Sequence, residues 1–265
     1  MAKVVVITGA SSGIGKTTAE FLSRKGFKVY GLARRNLPIE NLNFEFLQCD
    51  ITNFDDFKNV LERIFNKEGK IDVLINNAGM GIAGAIEHTS SEDIMNIFNV
   101  NVLALINASK CVIPFMRSNG GGKIINLGSV ASVIPIPFQT CYSVTKSAVD
   151  MFSMAFGMEV KDFNISLTTV MPGDTKTGFT ASRVKNPTLE DENYKKRIKN
   201  SIEKMEKDER EGKSPLSVAK VIYKVINKKN PPSRITVGLS YKLIVLLQKI
   251  LPRRLMLWIV KKIYG

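Results

Sequence analysis

The chain has 265 residues but one histidine, one tryptophan and three cysteines. Cys49, Cys111 and Cys141 stand in no CxxC spacing, which argues against a disulfide framework and against a zinc site. With His88 the sole imidazole, no metal centre is expected, and His88 itself reads as a loop residue ahead of a helix. Met1-Ala2-Lys3 runs straight into apolar residues and leaves no room for a signal sequence. The expectation is a cytoplasmic protein with buried thiols. Internal repeats and low-complexity tracts are absent as well.

What is abundant is positive charge, a net +14, and it is unevenly placed. Residues 1 to 175 hold 16 Lys/Arg against 16 Asp/Glu, whereas residues 176 to 265 hold 22 against 8. A basic last third points to nucleic acid, an anionic membrane surface or an acidic substrate.

Short apolar runs alternate with helical stretches. Val4 to Ile7, Lys28 to Ala33, Phe44 to Leu47, Ile71 to Ile75, Lys123 to Leu127 and Ile165 to Val170 read as strands buried on both faces. Phe54 to Asn66 and Pro215 to Asn227 read as helices, and Arg234 to Val237 as a late strand. The alternation predicts an α/β fold: one doubly wound, Rossmann-type domain with a parallel sheet over residues 1–239. Within it, about 174–212 reads as a substrate lid, because Tyr194, Ile198, Ile202 and Met205 recur four, four and three apart on one helical face.

After the first strand come Gly9, Ser11, Ser12, Gly13, Ile14 and Gly15, with glycines spaced GxxxGxG where a helix begins. Such glycines let backbone approach a pyrophosphate, whose charge the helix N-terminus stabilises. The second strand ends in Arg34-Arg35 where an NAD-selective site places an acid, so a 2′-phosphate and NADPH are favoured over NADH; solvated loop arginines are the other reading. Asp50-Ile51 follows the third strand, where the carboxylate either accepts from an adenine amino group or caps the next helix.

Tyr142 and Lys146 stand four apart, on one face of the helix expected there. A cation beside a phenol favours the phenolate and makes it a usable acid and base. Thirteen residues upstream, Ser129 closes the strand Lys123 to Leu127 and sets a hydroxyl at the carboxyl edge of the sheet, where open α/β sheets bind ligands.

The glycine turn, Asn76-Asn77-Ala78-Gly79, Asn101, Ser129, the Tyr142/Lys146 pair and Pro172-Gly173 occur in an order that closely resembles the short-chain dehydrogenase/reductase family, over roughly residues 3 to 180. The resemblance implies an NAD(P)-dependent oxidoreductase with Tyr142 as acid/base, Ser129 bonded to the substrate oxygen, Lys146 on the nicotinamide ribose, and Asn101 supporting a water. It further implies that Asn77, Ala78 and Gly79 pass the adenosine ribose, and that Pro172, Gly173, Thr175 and Thr177 match a PGxxxT segment near the carboxamide. Thr175 replaces a common isoleucine or valine, which leaves its side-chain role open. A homodimer or homotetramer built partly on the helix of Tyr142 is also implied.

Residues 130 to 140 are mostly apolar, and Phe138 with the lid face adds hydrophobic wall. A lipid-, steroid- or retinoid-like carbonyl or alcohol is the expected substrate. Alternatives are a 3-ketoacyl reductase acting on a carrier-bound chain and a non-catalytic dinucleotide-binding regulator. Residues 240–265 hold six Lys/Arg and no acid among aliphatics, as two short helices broken at Pro252. Each is too short to cross the roughly 30 Å of a bilayer. The extension reads as an amphipathic hairpin on an anionic membrane, or as a cover on the substrate pocket or a neighbouring subunit. Nucleic acid is not expected, since the cations alternate with aliphatics and not with stacking aromatics.

Overall fold

The computed structural model of the chain describes residues 2–35, 43–185 and 191–265. Part of the lid segment 174–212, residues 186–190, lies outside them. The chain opens with β1 (Val4–Thr8), α1 (Gly13–Arg24), β2 (Lys28–Ala33) and β3 (Glu45–Gln48). Next come α2 (Phe54–Glu68), β4 (Val73–Asn76), a short β5 (Ile82–Ala83), α3 (Ser91–Phe98) and α4 (Ala104–Ser118). β6 (Gly122–Leu127), α5 (Thr140–Glu159) and β7 (Ile165–Met171) complete the centre. The last third holds α6 (Phe179–Ser182), β8 (Val184–Lys185), α7 (Lys195–Arg210), α8 (Pro215–Asn227), β9 (Arg234–Thr236), α9 (Leu239–Ile250) and α10 (Arg253–Tyr264).

Seven strands form one parallel sheet in the order β3-β2-β1-β4-β6-β7-β9. The period-two geometry of a strand explains the continuous apolar runs: Val4 and Val6 of β1 pack against α2 and α4, while Val5 and Ile7 face α1 and α8. Chain order departs from β1 toward β3 on one side and toward β9 on the other, so β1 and β4 flank the switch point where open sheets bind ligands. The fold class matches the expectation. Strand ends differ by a residue or two, and β5 and β8, which pair with each other, had no sequence signal.

Local chemistry sets several boundaries. Asn53 caps α2 by accepting from the amides of Asp55 and Asp56, those two acids favour the same positive end, and Gly69 ends the helix in the left-handed region. Inside the sheet, the Asn76 amide donates to Asn126 at 2.8 Å and to Ser109 at 3.0 Å, and Asn126 donates to Ser153 at 2.8 Å. This polar chain ties β4 and β6 to α4 and α5, so Asn76 steadies the sheet and does not face ligand.

Candidate active site

The carboxyl ends of β1, β2, β4, β6 and β7 open into a cavity of about 950 Å³. At one end is the glycine turn. Gly9 has φ +68, and a Cβ there would lie 2.8 Å from the Ala78 Cα, so only glycine fits. A Cβ on Gly15 would run into the Gly9 carbonyl oxygen, which explains why α1 packs so tightly on the sheet. Asn77 locks the turn by donating to the carbonyls of Thr8 and Gly9. The first turn of α1 carries no acid, and the Ser12 side chain makes no capping bond among the described residues, so the positive helix end faces the cavity.

Ser11, Ser12, Gly13, Ile14, Arg34, Arg35, Asp50, Ile51, Asn77, Ala78 and Gly79 line this end, with Pro172, Gly173, Thr175 and Thr177 farther along. Gly15 does not line it; its part is packing. Of the two readings of Asp50, the cap falls away, because Asn53 caps α2 while Asp50 accepts from the Thr52 amide and hydroxyl at 3.0 and 2.7 Å. The surfaces fit a dinucleotide: a glycine cradle a Cβ would fill, an uncapped helix end for a pyrophosphate, and arginines at the tip of β2.

At the other end, α5 presents Tyr142 and Lys146 one turn apart, both lining the cavity with Ser129. Ser129 accepts from the Ala131 amide at 3.1 Å, which fixes its rotamer at the end of β6, on the cavity that Tyr142 also lines. Lys146 donates to the Leu127 carbonyl at 2.8 Å, and its Nζ stands 5.7 Å from the Tyr142 ring centre. Burial pushes Lys146 down to about 8. Burial also pushes Tyr142 up to about 12, with Ser129 opposing and the charges of Glu209 and Asp174 adding to the rise. The cation beside the phenol therefore does not make it ionise readily: desolvation wins, and Tyr142 is a neutral proton donor near pH 7.

Asn101 is buried on a π-helical turn joining α3 to α4, a distortion that recurs at functional sites. Its side chain is fully engaged: Oδ1 accepts from the Met80 amide at 2.8 Å, and Nδ2 donates to the Met80 carbonyl at 2.9 Å and to Thr145 at 3.1 Å. It clamps the loop after Gly79 to the helix of Tyr142.

The substrate side corrects one expectation. Phe138 sits one layer behind the cavity, its backbone at φ +60, packed with Ala83, Ala85, Ile198, Ile202 and Met205 and edge-on to Tyr194. Of the lid face only Met205 reaches the cavity, joined there by Ile136 and by Phe179, whose ring centre is 5.7 Å from that of Tyr142. Asp174, Glu209 and Tyr264 also line it. Glu209 pairs with the buried Arg183 and accepts from Thr180 at 2.6 Å. Burial raises the pKa of Asp174 despite a hydrogen bond from Tyr241, with Asp208 and Glu209 adding to the rise. Asp174 lies inside the Pro172 to Thr177 segment and is the one of these with a sequence signal; Phe179, Glu209 and Tyr264 arrive from elements whose approach no local pattern encodes. His88, on a 3₁₀ turn, bonds Asp191 at 2.9 Å and takes no part in the cavity lining.

Residues 3–188 match the family model described as short chain dehydrogenase. A 3-ketodihydrosphingosine reductase of Bacteroides thetaiotaomicron is 42% identical over 238 residues, 89% of this chain and 88% of the relative. A 3-oxoacyl-[acyl-carrier-protein] reductase of Thermotoga maritima is 33% identical over 67% of this chain and 76% of the relative. Among solved structures, a short-chain dehydrogenase from Streptomyces avermitilis superposes with a TM-score of 0.85 at 26% identity, covering 94% of each chain.

Proposed function

Because the chain belongs to the short chain dehydrogenase family and is an NAD(P)-dependent oxidoreductase, we propose that it uses NADPH to reduce the ketone of a long-chain amino lipid, 3-ketodihydrosphingosine or a near analogue. The observation that carries this reading is a carboxylate, Asp174, lining the same cavity as Ser129 and Tyr142, together with apolar surface from Ile136, Phe179 and Met205. A 3-keto sphingoid base has an amine next to its ketone and an alkyl chain beyond. The ammonium suits Asp174 through a charge-assisted hydrogen bond, and the chain suits the apolar wall. The relative from Bacteroides thetaiotaomicron supports the same substrate class.

A bound nicotinamide nucleotide supplies two electrons as hydride to the carbonyl carbon. The chain's own residues do the rest: Ser129 donates to the carbonyl oxygen and orients it, and Tyr142, neutral at pH 7, gives its proton to that oxygen as negative charge develops. A donor phenol supports the reductive direction. Lys146, with its pKa near 8, holds a proton that exchanges with solvent close to neutrality. Arg34 and Arg35 at the dinucleotide end, with no acid between them and β2, support NADPH. Three buried thiols support a reducing compartment. Val144, Met151 and Met158, exposed and seven apart along α5, support a homodimer through that helix.

A carrier-bound 3-ketoacyl chain is the second reading, favoured by the Thermotoga maritima relative and by the basic last third. The test is NADPH oxidation, with NADH in parallel, across 3-ketodihydrosphingosine, its des-amino ketone, acyl-carrier thioesters, a steroid ketone and retinal. Turnover highest on the amino ketone and abolished in Tyr142→Phe, with NADPH binding intact, is the expected result. Thioesters outperforming every free ketone, with the advantage lost at high salt, would replace the substrate by the carrier-bound chain.

A further inference from the structure

Ten of the nineteen large apolar side chains exposed among the described residues lie between 239 and 263, a tenth of the chain. Leu239, Leu243, Leu246 and Ile250 are spaced four, three and four apart and form one stripe along α9, opposite Tyr241 and Val245, which face the protein. Leu239 is 80% exposed and Ile250 68%. On α10, Met256 and Val260 point inward against Ile134, while Trp258 points outward, 58% exposed, with the Lys262 ammonium 5.2 Å from its ring centre. Six Lys/Arg and no acid occupy residues 240–265.

We propose that the α9–α10 hairpin is a docking surface for an anionic lipid bilayer, and that the substrate ketone enters the cavity from that bilayer. Three observations select this occupant. A leucine stripe beside cations and an outward indole is the chemistry of an element lying in the headgroup region. A second copy of this face would bring six cations against six with no acid to pair them. An acidic carrier protein would call for cations, not for a ridge of four aliphatics on α9 flanked by two lysines.

The inner side of the hairpin joins it to the chemistry. Tyr241 donates to the Asp174 carboxylate and accepts from the Asp174 amide at 3.1 Å, and its ring lies where a Cβ on Gly173 would be. Tyr264 lines the cavity and donates to Asp208 at 3.2 Å. The outer face of the same two helices meets the bilayer, so a ketone with a long alkyl chain passes from lipid to Tyr142 without its tail crossing water. The docking stands independently of the substrate assigned above; the entry route rests on that substrate being a lipid.

The experiment is sedimentation of the full chain with vesicles of phosphatidylcholine alone or with a third phosphatidylglycerol. Wild type is expected in the pellet only with the anionic vesicles, and released by salt. Arg253→Gln with Arg254→Gln should weaken binding about fivefold for each cation removed. Leu243→Glu with Leu246→Glu should abolish it. NADPH affinity and turnover of a short, water-soluble ketone serve as fold controls and stay unchanged, while turnover of a vesicle-borne ketone falls with the bound fraction. Wild type remaining in the supernatant at low salt overturns the proposal. So does undiminished binding by the Leu→Glu pair, or a change of oligomeric state or loss of acyl-carrier-protein capture as the only effect of that pair.

Discussion

Lys146→Met tests the claim that the cavity holds an ammonium against its own desolvation. Burial takes Lys146 from 10.5 to about 8 in the folded chain. A folded pKa below the unfolded one means that between these values the unfolded chain binds more protons, so wild-type stability rises with pH across that window. Between 10.5 and about 8, at 1.36 kcal/mol per pH unit, the rise amounts to about 3 kcal/mol. Methionine removes the titrating group, keeps most of the side-chain length, and leaves the Leu127 carbonyl without its donor, which costs about 1 to 3 kcal/mol at every pH. The difference between wild type and variant in unfolding free energy should therefore shift toward wild type by about 3 kcal/mol from pH 7 to above pH 10.5. Urea unfolding at several pH values in that range, both proteins side by side, measures it. A difference that does not change with pH would refute the buried-ammonium argument. Turnover by Lys146→Met should be lost throughout.

Three further outcomes are expected. Arg34→Ala with Arg35→Ala should raise KM for NADPH about 10- to 100-fold while leaving that for NADH near its starting value, the span expected for losing charge-assisted hydrogen bonds of about 1.5 to 3 kcal/mol; steady-state kinetics with both nucleotides decides it. Asp174→Asn should lower kcat/KM for the amino ketone about tenfold or more and spare its des-amino analogue, a split that a merely structural defect would not show. Gly15→Ala should destabilise the chain by about 1 to 3 kcal/mol in thermal unfolding, because the new methyl meets the Gly9 carbonyl and the Asn77 amide that locks the turn.

The sequence by itself determined the doubly wound sheet, because short apolar runs alternating with helical stretches fit strands buried on both faces, and because caps such as Asn53 and Gly69 act over three or four residues. It also determined which residues meet at the carboxyl edge: Gly9 and Gly13, Arg34, Ser129, Tyr142 and Lys146 each stand at the end of a strand or on the first turns of a helix, places that chain order alone makes neighbours in this fold. Tertiary structure decided what depends on long-range approach. Whether the Tyr142 phenol is ionised turned on tertiary burial, whose desolvation raises its pKa, where the local motif pointed to the adjacent lysine lowering it. Phe138 looked like cavity wall and proved to be lid packing, because its left-handed backbone sets it among Ala83, Ala85 and Ile202. Phe179, Glu209 and Tyr264 reached the cavity only through the docking of α6, α7 and α10. Which side of α9 faces the protein and which faces outward was likewise a matter of packing, since its apolar residues run almost all round and period alone does not choose a face.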